Sequence, residues 1–220
     1  MRILRQRWIS HGLVLGGFGL AAAAWPSLPD RIPTHWNLEG NPDGFGGKTF
    51  GLLVLPTAML LVHGLLELIP RISPRDWPIA PFAAAYETLR IAILGFLLYV
   101  MVLMVAAGLG HAVAMTPLLM GGLGALFLVV GSQLDDVTPN YFVGIRTPWT
   151  LADREVWRRT HALGARSFMA GGVTMVVAAL SPSRMVALAL FVLAITGSAL
   201  VPVVASWRYS RERDRNANIT

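Results

Sequence analysis

The chain has 220 residues, 55% of them hydrophobic and only 14% charged, with a mean hydropathy of +0.58, too apolar for a soluble globular domain of this length. It contains no cysteine, which excludes a disulfide framework, a thiolate metal site and a cysteine nucleophile. The formal net charge of +6 suits either nucleic acid or the orienting charges of a membrane protein, and the positions of the basic residues decide between them.

A span needs about 20 largely apolar residues to cross the hydrocarbon core. The first such window is Trp8 to Trp25. Its basic head, "MRILRQRW", and the "AAAA" at Ala21 to Ala24 also fit a cleavable signal peptide. The run is long enough to cross, however, and a tryptophan stands at each end as an interfacial anchor, so it reads as a retained span. Gly12, Gly16 and Gly17 would let another helix approach closely.

The next segment, "LPDRIPTHWNLEGNPDGFGGK" (Leu28 to Lys48), reads as a compact, shaped loop on the outside. Pro29, Pro33 and Pro42 oppose a regular helix, and Gly40, Gly44, Gly46 and Gly47 supply turn conformations. Its candidate binding residues are Pro33, His35, Asn37, Gly40, Asp43 and Lys48. In a helix His35, Glu39 and Asp43 would share one face and offer a divalent cation three ligands. The prolines and glycines argue against that helix, so these groups are expected to satisfy the loop's own backbone and no metal site is assigned.

Further spans are expected at Phe50 to Ile69, Ala83 to Leu109 and Ala112 to Gln133. His63 and Glu67 lie one helical turn apart, where they can share a proton or a hydrogen bond; Glu87 and Arg90 open the third span. Ionisable groups inside spans are costly, and both pairs are expected to snorkel to water at the interface. His11 and His111 are expected to contact headgroups.

Then comes "NYFVGIRTPWTLADREVW" (Asn140 to Trp157), more particular than a connecting loop needs to be. Pro148 breaks the chain, and Thr150 with Asp153 reads as a capping box for a helix starting at Leu151. That helix can run into the fifth span, Ala162 to Leu180, with Val156, Trp157, Thr160 and His161 on one face. Trp149 and Trp157 are expected in the headgroup region, and Arg146 is expected to pair with Asp135, Asp136 or a phosphate. After the tight turn "SPSR", the sixth span is Met185 to Ser206.

With a cytoplasmic amino terminus, fifteen of the eighteen Lys and Arg residues fall on cytoplasmic flanks; only Arg31, Lys48 and Arg184 lie outside. The positive-inside rule then predicts an all-α integral membrane protein of six transmembrane helices with both termini cytoplasmic. The bilayer becomes the partner of the basic residues, the tail "RYSRERDR" becomes a topology anchor, and no nucleic acid is needed. There is no internal repeat to indicate an inverted-repeat transporter. Neither a zinc-protease pattern nor a serine nucleophile motif occurs, so no catalytic residue and no cofactor are assigned and an enzyme is not expected.

The two particular segments together resemble the SdpI family of bacterial membrane proteins. Leu28, Pro29, Ile32, Pro33, His35, Gly40, Asp43 and Lys48 resemble the family's amino-terminal domain, which has no assigned function. Gly144, Ile145, Arg146, Thr147, Pro148, Trp149, Thr150 and Leu151, followed by Trp157 and His161, resemble the motif of its immunity-protein portion. The resemblance implies two parts, residues 1–82 and 83–220, in a multi-pass protein of the bacterial cytoplasmic (inner) membrane. It implies resistance to a membrane-acting toxin peptide met outside, with a relay of its presence to a cytoplasmic transcriptional regulator. Gly144, Arg146, Thr147, Pro148, Trp149, Thr150, Trp157 and His161 would then form the ligand or partner site. The alternative from the residues themselves is a small proton-coupled transporter working through His63 and Glu67.

Overall fold

Apolar runs that have no water to satisfy their amides fold as helices. In chain order the elements are α1 (Arg2–Ala24), β1 (Arg31–Trp36), β2 (Pro42–Gly47), α2 (Lys48–Ile72), α3 (Ala83–Gly108, led by a 3-10 turn at Ala80–Phe82), α4 (Met115–Leu134), α5 (Pro148–Ala152), α6 (Arg154–Ala179) and α7 (Arg184–Ala217). The structure, a computed structural model, describes the backbone of residues 2–217 and the side chains of residues 6–216. Arg2 and Arg5, counted above among the orienting charges, therefore have side chains outside the described residues.

Among the described residues five helices, α2, α3, α4, α6 and α7, are long and apolar enough to cross a membrane. The remaining expected span, Trp8 to Trp25, corresponds to α1, a continuous helix of 23 residues whose early turns carry Arg7, Ser10 and His11 and so dilute its hydropathy. The longest overruns of the expected limits are at the start of α1, which begins at Arg2, at the start of α6 and at the end of α7. Asp153 caps α6 well before Ala162, and α7 continues past Ser206 for 34 residues in all. Nothing in "RYSRERDR" breaks a helix, and ion pairs from Arg159 to Glu212 (2.9 Å) and from Arg213 to Asp153 (2.8 Å) hold the extension against α5 and α6.

The Leu28 to Lys48 segment departs from the all-α expectation. β1 and β2 pair antiparallel, with Arg31 opposite Gly47, Ile32 opposite Gly46 and His35 opposite Gly44, and with irregularities on both sides of His35. Prolines are tolerated because each strand lies at an edge of this two-stranded sheet. A Cβ on Gly44 would come within 2.8 Å of the His35 Cβ, so the close pairing needs glycine there. The hairpin is tied down by Ile32, fully buried with Leu28, Leu52, Met101, Met104 and Val105.

α1 packs on α2 and α3, while α4, α6 and α7 form a second group joined to the first along α3 and α4. Of the glycines expected to allow close approach, Gly17 meets Met59, whereas Gly12 faces open space. The tightest seam lies between α4 and α6. A Cβ on Gly172 would fall 2.7 Å from the Gly124 carbonyl oxygen, and one on Gly131 would fall 2.8 Å from that of Ala165. Without a hydrophobic drive between helices in lipid, such small-residue contact is what lets dispersion hold them.

The loops sort to two ends of the bundle. The hairpin, the α3–α4 turn and the α6–α7 turn meet at one end, where Arg184 pairs with Glu39 at 2.6 Å and Gly40 packs on Thr116. The segment leading into α5 and α6 lies at the other, where the Thr147 hydroxyl donates to Ser206 of α7 at 3.0 Å.

Candidate functional site

The site begins with Asn140, which is fully buried. Its Oδ1 accepts from the Phe142 and Val143 amides (2.8 and 2.7 Å), and its Nδ2 donates to the Thr138 and Val143 carbonyls (both 2.9 Å). One asparagine thus replaces the ladder that this irregular stretch lacks. The chain then turns through Gly144 at φ +110°. A side chain there would be strained and would also run into the His161 imidazole.

The turn delivers the Ile145 N–H to His161 Nε2 at 3.1 Å, while His161 Nδ1 lies 2.9 Å from the Trp157 carbonyl oxygen. Both bonds form together only when the ring carries its single proton on Nδ1. The imidazole stacks on the Trp157 indole, 4.1 Å between centroids and 14° between planes. Trp157 is 2% exposed and donates its Nε1–H to the Val137 carbonyl at 2.7 Å. It packs with Ile69, Ile79, Phe82 and Tyr86 from α2, α3 and the segment between them. The expectation of Trp157 at the headgroups is therefore corrected: its whole body fills a core, and its one donor finds a backbone partner.

The capping arrangement is also corrected. Thr147 caps α5, with Pro148 at the first helical position; its hydroxyl accepts from the Thr150 N–H, and the Thr150 hydroxyl accepts from the Thr147 N–H. The Thr150 hydroxyl also donates to the Ile145 carbonyl at 2.9 Å. Asp153 is not the partner of Thr150. It caps α6 instead, accepting from the Glu155 and Val156 amides at 2.7 and 3.1 Å. Burial pushes the Asp153 carboxyl up, but those two amides and the Arg213 guanidinium outweigh it and hold the group below its ordinary value.

The expected residues thus separate into two sets. Thr147, Thr150, Trp157 and His161 are buried and bonded to the fold, with Gly144 shaping the turn beside them. Arg146 and Pro148 are exposed and Trp149 is half-buried. The Arg146 guanidinium donates to the Tyr141 carbonyl. Among the described residues it pairs with neither Asp135 nor Asp136, which corrects that expectation.

At the opposite end, His35 Nδ1 lies 2.5 Å from Asp43 Oδ1 across the hairpin, and the Asn37 carbonyl oxygen of the side chain accepts from the Asn41 N–H at 3.0 Å. Gly40 turns the tip at φ +79°. Pro33 sits opposite Phe45. Lys48 donates to the Leu28 and Trp25 carbonyls at 3.0 and 3.3 Å and lies over the Trp25 ring. Glu39 turns away to Arg184, so the trio of His35, Glu39 and Asp43 is not brought together.

Sequence reasoning missed a buried charged network. Arg90, 1% exposed, donates to both Glu67 and Glu87, and Arg7 reaches Glu67 at 2.5 Å. The snorkelling expectation for Glu87 and Arg90 is corrected, since both are buried and paired within the bundle. Glu87 and Arg90, three residues apart, were readable as a helical pair; Arg7, sixty residues from Glu67, was not. His63 bonds to neither carboxylate. Its Nδ1 has no partner among the described residues, and its ring meets His11 edge-on at 4.7 Å. Ligand atoms of His11, His63 and Glu67 lie within 4.8 Å of one another, but Glu67 is committed to two guanidinium groups that repel a cation.

Residues 136–206 match the model of the SdpI/YfhL protein family, and residues 12–60 match a domain of unknown function, DUF1648. The immunity protein SdpI of Bacillus subtilis (strain 168) is 23% identical over 210 residues, covering 95% of this chain and 98% of that protein. No solved structure matches the chain. The first matched segment contains Gly144 to Leu151 together with Trp157 and His161, and the second contains Pro33 to Lys48. These two matched segments, and the relative that spans both, are where the chain is similar to the SdpI family.

Proposed function

We propose that this multi-pass membrane protein gives a bacterial cell resistance to a membrane-acting toxin peptide. The hairpin end faces outside, and the Asn140 to His161 end relays the encounter to a cytoplasmic regulator. The observation that carries the reading is the division within the motif. Thr147, Thr150, Trp157 and His161 are spent on holding the turn rigid, and what they present is Arg146, Pro148 and Trp149 at the surface. A rigid scaffold that displays an arginine and an aromatic side chain suits recognition of a partner. The near-complete coverage of an immunity protein by the alignment supports the same role here.

The proposal includes six spans with both termini in the cytoplasm of an inner-membrane protein, and a division at residue 82 between the two parts. The distribution of the basic residues supports that orientation. The test is survival of a sensitive strain challenged with membrane-active peptide toxins, expressing the parent or Arg146→Ala at matched membrane levels. Arg146 is exposed and its side chain bonds to one backbone carbonyl, so the substitution leaves the fold standing. Protection by the parent and its loss in Arg146→Ala is the expected result. Equal protection by both would remove the motif from the activity, and no protection by either would remove the activity itself.

A further inference from the structure

We propose a binding site for a phosphate-bearing anion between α1, α2, α3 and the linker that joins α2 to α3. It rests on a cavity of about 650 Å³ whose lining includes Arg7, Arg71, Arg75 and Arg90 together with Glu67 and Glu87. Its volume lies within the roughly 300–1,000 Å³ typical of small-ligand sites. Nothing in the toxin-resistance reading requires this site, and the inference stands independently of it.

The sequence builds the cavity's wall. In "IPRISPRDWPIAPF" α2 ends at Ile72, and the prolines at 74, 78 and 81 prevent it from running on into α3 and stiffen the linker into a fixed curve. The Ser73 hydroxyl donates to the Ile69 carbonyl at 3.1 Å, closing the end of α2. Tyr86 ties the far side by donating its hydroxyl to the Leu66 carbonyl at 2.6 Å. The space is thus bounded by constrained backbone.

Charge then selects the ligand. The guanidinium groups of buried Arg90 and exposed Arg7 are matched by Glu67 and Glu87, so the paired network as a whole is neutral. Arg71 and Arg75 are exposed at the rim, and among the described residues neither has a carboxylate partner. The lining therefore carries an excess of two positive charges, both on planar forks that bind phosphate oxygens in pairs. Leu66, Ile79 and Ala83 supply an apolar wall beside them. Because the cavity sits where the apolar helices α2 and α3 end, it lies at the depth of lipid phosphates. The same chemistry accepts either a lipid headgroup or a free phosphate.

The experiment measures thermal unfolding of the purified full chain in detergent. Three additions are compared: phosphatidylglycerol, a galactolipid that lacks phosphate, and inorganic phosphate. The variants are Arg71→Gln/Arg75→Gln at the rim and, as a control for general surface charge, Arg208→Gln/Arg211→Gln on α7. At about a hundredfold excess over Kd, binding is expected to raise the parent Tm by roughly 5 °C. The rim variant should lose the shift and the α7 variant should keep it. A shift with phosphatidylglycerol alone identifies a lipid as the source, and one with inorganic phosphate identifies a soluble ligand. The proposal is overturned if neither moves the parent Tm, if the galactolipid matches phosphatidylglycerol, if the rim variant responds like the parent, or if the α7 variant loses the response equally.

Discussion

His161 makes three contacts at once: it accepts from the Ile145 amide, donates to the Trp157 carbonyl and stacks on the Trp157 indole. His161→Phe keeps a ring for stacking but leaves the Ile145 N–H without an acceptor. An orphaned buried donor costs about 1–3 kcal/mol, so we expect a lowered Tm in detergent; an unchanged Tm would show that water or a loop shift replaces the bond. The residue types of this site were legible, but their directions were not. A tryptophan near the start of a span reads as an interfacial anchor, and only the fold brings Ile69, Phe82 and Tyr86 from far upstream to cover Trp157. Likewise Thr147 with Thr150 and Thr150 with Asp153 have the same spacing. Pro148, well suited to the first helical position, is the feature that favours the earlier start.

Helices were the most legible level, because a run of apolar residues of spanning length has few other fates in lipid. Their ends were less so. Nothing local distinguishes the end of the sixth apolar run from the end of α7, whose extension depends on Glu212 and Arg213 meeting Arg159 and Asp153 from elsewhere in the chain. The hairpin was read only as a shaped loop, since prolines and glycines weaken the alternation by which strands are recognised. Between elements, glycines set the spacing of α4 and α6. In Gly172→Val the new Cβ would meet the Gly124 carbonyl and Leu128. The helices must part, at an overpacking cost of about 1–3 kcal/mol. We expect a lower Tm and faster proteolysis of the α4–α6 segment than in Gly197→Val, a position where a Cβ meets nothing within 4 Å. Equal behaviour of the two variants would mean that α4 and α6 do not depend on close glycine contact.

At the scale of the whole molecule, the orientation turns on α1, the helix that is not counted among the five apolar candidates. It lies alongside α2 from end to end. Near its start Arg7 pairs with Glu67, midway Gly17 meets Met59, and beyond its end the Trp25 and Leu28 carbonyls accept from Lys48 at the start of α2. From Arg7 to Trp25 such a helix measures about 27 Å, close to the roughly 30 Å of a hydrocarbon core. A bilayer crossed by α2 would then be crossed by α1 beside it, with Arg7 reaching its partner in the bundle rather than lipid. Because the chain has no cysteine of its own, single cysteines report this cleanly. In intact cells a membrane-impermeant maleimide should label Asn41→Cys in the hairpin, whereas Arg2→Cys and Asp214→Cys should label only after permeabilisation. The amino-terminal position is the decisive one, since five spans and six both put Asn41 and Asp214 on opposite sides. Labelling of Arg2→Cys from outside would leave five crossings and take α1 out of the membrane, and with it the neutral pairing of Arg7 and Glu67 that closes the floor of the cavity.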